Sequence, residues 1–152
     1  MPTLIVVFDT NLYRKLGADA FDELRDRERN LSIQAVANYY VAMEFLAHLA
    51  DDQDPGFAKS HSSLRRLWLH TKTYDGSQYV THVMWPAEGQ VSHSLFHASP
   101  NVGGNVSASL GAVVGQIANT ERADLPGLFQ ETLCECRDRV LFLRRAVHSV
   151  AF

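Results

Sequence analysis

Cysteine, lysine and long hydrophobic runs are all scarce in this 152-residue chain, and each scarcity closes a class of function. The two cysteines, Cys134 and Cys136, lie two apart in a stretch that reads as helix, so their side chains diverge and an intramolecular disulfide between them is not expected. No third cysteine or suitably spaced histidine completes a zinc site; His61, His70, His82, His93 and His97 show no tight ligand spacing. The N-terminal apolar run is too short for a membrane span and lacks the basic flank of a signal peptide. A cytoplasmic, reducing location is the expectation, with no membrane partner. Lysine occurs only at Lys15, Lys59 and Lys72, and the formal charge of -3 gives no general attraction for nucleic acid. The remaining basic residues are arginines, suited to bidentate contacts with phosphate or carboxylate. Repeats and low-complexity tracts are absent too.

What is present fits one domain, residues 1–152, with 46% hydrophobic and 20% charged residues. Leu4 to Phe8, LIVVF, has the composition of a central parallel strand covered on both faces. A helix from about Ala18 to Arg29 should pack Phe21 and Leu24 inward. A second strand should run from Leu31 to Val36. Asn38 then caps a helix in which Val41, Phe45, Leu46 and Leu49 recur at helical spacing. The order β-α-β-α favours an α/β domain, with the two strands parallel neighbours. The break DDQDPG at 51–56 ends that unit. Helices follow at about 57–73, from near Ser107 despite Gly111 and Gly115, and at about 128–150. Val91 to Leu95 alternates weakly, like a strand.

Two acids stand at the ends of these core elements: Asp9 after the first strand and Glu44 in the helix NYYVAMEFLAHL. Burying an unpaired carboxylate is costly, so a core-edge acid usually has a cation, a hydrogen-bond network or a salt bridge beside it. For Asp9 the plain alternative is a cap on the next helix; for Glu44 it is a salt bridge. Asp9-Thr10-Asn11 followed by Leu12, then Asn38 and the run Val41 to Leu49 around Glu44, resembles the PIN-domain family of metal-dependent ribonucleases, found among toxin nucleases and RNA-processing enzymes. The resemblance covers roughly the first fifty residues. It implies a three-layer α/β domain with a central parallel sheet, Mg²⁺ or Mn²⁺ held by Asp9 and Glu44, Asn11 positioning a ligand or phosphate, and hydrolysis of RNA phosphodiester bonds.

The family's later acids have no clean counterpart. Asp124 is the best placed by position for a further metal ligand, ahead of Asp75 and Glu121. Two explanations stand open: a fragment whose C-terminal continuation carries the remaining acids, or a diverged member with a differently assembled site. The alternative function is a catalytically inactive PIN-like binding or assembly module. A haloacid-dehalogenase-like phosphatase also places Asp after its first strand but wants a second Asp where this chain has Asn11. The loop Asn101 to Asn105 could bind an anion yet lacks the lysine of a phosphate loop. Arg65, Arg66, Arg144 and Arg145 are available for RNA phosphates. The apolar residues of the last helix, including Leu128, Leu141, Phe142 and Val147, point to a second copy, an inhibitory protein or a missing C-terminal portion as partner, or equally to a helix that covers the other face of its own sheet.

Overall fold

The structure, a computed structural model, describes residues 4–74, 79–81, 83–84 and 110–150. Val91 to Leu95, His82, His93, His97, Asp75 and the loop at 101–105 lie outside the described residues.

The chain forms a small α/β fold in which a parallel strand pair is flanked by helices. Strand β1 (Leu4–Val7) pairs in parallel with β2 (Ile33–Asn38), in the register Leu4↔Ile33 to Val7↔Val36. Two further residues on the other side of β2, β5 (Val83–Met84), pair in parallel through Ala37 and Asn38. A separate antiparallel pair joins β3 (Lys72–Tyr74) to β4 (Tyr79–Thr81).

The parallel pairing expected of the first two strands is present, with three corrections. The connection holds two helices, α1 (Thr10–Lys15) and α2 (Ala18–Asn30), because Leu16 turns extended at the end of α1 and Gly17 starts the next helix. Strand β2 begins at Ile33 because Leu31 and Ser32 close α2 in a turn, Ser32 lying in the left-handed region at φ 54°. The first strand is not covered on both faces: among the described residues β1 is at the sheet edge, with Leu4 61% and Ile5 58% exposed.

Helix α3 (Tyr39–His48) starts where β2 ends, and the Asn38 side chain accepts hydrogen bonds from the Tyr40 and Val41 amides at 2.8 and 3.4 Å. This is the expected cap, satisfying two amides that a helix start otherwise leaves open. Helix α4 (Phe57–Thr71) stops two residues earlier than its periodicity suggested, because Lys72 becomes extended and enters β3. Residues 110–118 form α5, and a short 3-10 turn at Arg122–Asp124 leads into α6 (Leu125–Val150).

Helix α3 packs against α4 and α6, and the core gathers around Phe45, Leu46, Leu64, Leu67, Ile117 and Leu133, all fully buried. Helix α6 is anchored to this core through Leu125, Leu133 and Cys136, and the Gln130 side chain donates to the Ala50 carbonyl at 3.1 Å. Its Leu128, Leu141 and Phe142 remain exposed. Gly111 lets α5 lie close to the end of β4: a Cβ there would stand 1.9 Å from the Thr81 carbonyl oxygen. A residue that weakens a helix by propensity is here required by the approach of two backbones.

Candidate functional site

Among the described residues, two places concentrate polar chemistry. The first is the carboxyl edge of the parallel strands. The β1–β2 ladder ends at Val7 and Val36, so Asp9 and Asn38 each stand two residues beyond its last pair. Each residue caps the helix that follows its strand. Asp9 is extended and its Oδ1 accepts the Leu12 amide at 3.1 Å. The Asn11 side-chain amide approaches Asp9 Oδ2 at 3.5 Å, a long and weak contact. Thr10 is the first residue of α1. An open hollow of about 570 Å³ lies over this edge, lined by Phe8, Asp9, Asn11, Leu12 and Lys15 among others.

Asp9 is exposed, so no desolvation cost calls for a cation beside it, and its cap geometry is the one that Asp takes at many helix starts. Glu44, half-buried on α3, is held by Arg14 of α1 at 3.1 Å. The Arg14 guanidinium also lies over the Phe45 ring, 5.4 Å from its centroid. Glu44 therefore faces a second, smaller hollow of about 190 Å³, with His48, Asp54 and Arg137 on its walls. There His48 Nδ1 meets Asp54 Oδ2 at 2.9 Å, and the Gly56 amide donates to Asp54 Oδ1 at 2.6 Å. The hydrogen bond from His48 holds the Asp54 carboxyl below its usual range, with the Gly56 amide and the charges of His48 and Arg14 acting the same way against a smaller opposing effect of burial.

Asp9 and Glu44 thus sit on helices that start from one sheet edge and are tied together by Arg14, but they line different hollows. Asp124, exposed in the 3-10 turn before α6, lines neither. Among the described residues, no group of three or more His, Cys, Asp or Glu side chains could hold a metal ion. In donor type, the Asp9 carboxylate and the Asn11 amide oxygen suit a hard divalent ion completed by water and phosphate oxygens. Glu44, paired with Arg14 through Oε1, lines the other hollow.

The second polar place is buried. Tyr13 of α1, Glu28 of α2 and His70 of α4 form a chain: the Tyr13 hydroxyl meets His70 Nδ1 at 3.1 Å, and His70 Nε2 meets Glu28 Oε2 at 2.5 Å. The His70 and Glu28 side chains are only 1% and 9% exposed. Rings of Phe8, Tyr13 and Phe21 surround the imidazole at centroid distances of 5.3–5.8 Å. Burial, and then the charge of Glu28, push the Tyr13 hydroxyl far above its ordinary value, so it stays protonated. Among the described residues, Glu28 Oε1 is buried without a hydrogen-bond partner. Sequence reasoning passed over this cluster. Its one signal is that Glu28 falls seven residues after Phe21, on the same face of α2.

Compared with known proteins, the chain matches no family model, no curated protein and no solved structure. No helix among the described residues is long and apolar enough to cross a membrane.

Proposed function

We propose that the chain is a PIN-like module that hydrolyses RNA phosphodiester bonds with a divalent metal at the carboxyl edge of its parallel strands. The full three-layer arrangement with a wider parallel sheet belongs to the same reading. The observation that carries it is the position of Asp9: at the carboxyl end of β1, beside the start of α3, over an open hollow. Ligands of parallel α/β sheets bind at that edge. Asp9 and Asn11 would hold Mg²⁺ or Mn²⁺, with Glu44 recruited from Arg14 and Asp124 a more distant reserve on the chain. The ion would supply water activation and charge neutralisation at the phosphate. Lys15, on the wall of the same hollow, supplies positive charge for an approaching phosphate. Arg14 acts earlier, by keeping the Glu44 carboxylate oriented until an ion competes for it.

Asp9→Asn separates chemistry from folding. Asparagine serves as well as aspartate at a helix start, so stability should hold while one negative ligand is lost. Purified wild type should cleave single-stranded RNA with Mg²⁺ or Mn²⁺ and stop on chelation, and Asp9→Asn should not cleave. Undiminished cleavage by that variant removes Asp9 from the reaction.

A second reading, a binding or assembly module without catalysis, is favoured by the Arg14–Glu44 ion pair and by the exposure of Leu128 and Phe142 on α6. RNA left intact with either ion, together with a dimer that Phe142→Asp dissociates, is its expected signature.

A further inference from the structure

We infer that the hollow over the Glu28–His70 pair is a binding site for a nucleoside monophosphate, free or as one residue of an RNA strand. This site stands on residues other than the Asp9 edge and does not depend on the cleavage reading. It measures about 480 Å³ and is bounded by α2, the start of β2 and the junction of α4 with β3. Small-molecule sites commonly span about 300–1,000 Å³.

The buried cluster dictates the polarity of what can enter. His70 spans the other two groups, its Nδ1 meeting the Tyr13 hydroxyl and its Nε2 meeting Glu28 Oε2. Glu28 thus spends one oxygen on His70, and among the described residues its second oxygen, Oε1, is buried with no hydrogen bond. A buried oxygen in that condition calls for a donor. Glu28 is also a wall of the hollow; Oε1 itself is closed to solvent, so a ligand N–H reaches it through a small turn of the Glu28 side chain.

The remaining walls ask for an anion and a flat apolar body. Arg25, Arg29 and Lys72 bring three cationic side chains to the same hollow, the Lys72 ammonium lying 4.3 Å from the centroid of the Trp68 ring. The arginines' acidic partners, Asp22 at 3.7 Å and Asp26 at 3.1 Å, are exposed neighbours on their own helix and easily exchanged for phosphate. Ile33 and Leu69 supply apolar surface alongside the Gln34 amide. A nucleotide unites these demands: base N–H groups for Glu28, a planar base for the apolar wall and a phosphate for the cations. An aliphatic amino acid offers a donor and an anion but no plate to cover Ile33 and Leu69.

Isothermal titration of the full chain with the four nucleoside monophosphates, inorganic phosphate and a short oligoribonucleotide tests this. The expected result is nucleotide binding well above that of phosphate, weakened about tenfold by Arg29→Ala and by Lys72→Ala and by added salt. Glu28→Gln should erase the advantage of nucleotide over phosphate; if that variant fails to fold, the two cation substitutions still decide. Stronger binding of the oligonucleotide identifies RNA as the source, and equal binding identifies the free nucleotide. Asp9→Asn should bind like wild type, so loss of cleavage and loss of this site are read separately. No binding by wild type, binding indifferent to Arg29→Ala and Lys72→Ala, or phosphate binding as tightly as nucleotide would each overturn the proposal.

Discussion

The carboxyl edge of the strands and the Tyr13–His70–Glu28 cluster use the same kinds of residue under opposite conditions. At the edge, Asp9 accepts a backbone amide in the open, Asn38 caps α3, and Glu44 is paired with Arg14 at the surface. In the cluster, a carboxylate and an imidazole are closed off from water and one carboxylate oxygen has no partner. The first arrangement is inexpensive and replaceable, because water stands ready to substitute for any lost contact. The second is committed: each group depends on the next. A carboxylate's meaning is set by its solvent, and among the described residues α2, the most charged helix, is the one that buries an acid.

The sharpest way to break this contrast is to remove the imidazole. His70→Ala leaves Glu28 buried beside a cavity among Phe8, Tyr13 and Phe21, and should cost about 3–5 kcal/mol in urea unfolding. A loss below about 1 kcal/mol would mean that the cluster is hydrated and no different from the edge.

Tyr13→Phe probes the same cluster more gently. Loss of one hydroxyl that bonds a buried imidazole should cost about 1–2 kcal/mol at neutral pH. Tyr13 also carries a pH signature. Its hydroxyl is held protonated in the fold by burial and by Glu28, whereas the unfolded phenol ionises near its ordinary value of 10.0. The folded value is the raised one, so this contribution is complete below about pH 10 and declines as pH climbs above it. Thermal melts in alkaline buffer should show that decline in wild type and less of it in Tyr13→Phe.

At the edge, Asn38→Ala removes a cap and should cost about 1 kcal/mol, since the freed amides reach water only in part. Smaller still is Asp54→Asn, below about 1 kcal/mol for an exposed pair with His48. Its sign is the reverse of Tyr13's. The depressed folded value of Asp54 means that its contribution is present above the unfolded carboxyl range and is lost as pH falls through the folded value, so the variant should flatten the acid limb of the stability curve.

The sequence made the edge readable and left the cluster hidden. An apolar run ending at Asp9, and Asn38 before a helical repeat, are local patterns, and both elements appear with the capping geometry that such patterns favour. Pairing Asp9 with Glu44 needed distance information that spacing does not contain, and Arg14, which claims Glu44, lies on a helix that six residues were too few to announce. The Glu28–His70 contact joins residues 42 positions apart through tertiary packing alone. Charged neighbours around Glu28 made it resemble a solvated face. The covering expected over LIVVF was inferred from composition, which registers a strand's preference for burial and not which neighbours are at hand.

The turn at Leu31 and Ser32 has a consequence for the phase of the sheet. Side chains alternate along β2, with Ala35 and Ala37 buried and Gln34 and Val36 less so. Ser32, at φ 54°, sets which parity faces the core. Deleting that single residue would invert the alternation, send Gln34 inward and rotate Asn38 away from α3. One removed turn residue would therefore damage both the strand packing and the helix start that leads to Glu44, although Ser32 itself is exposed and touches neither.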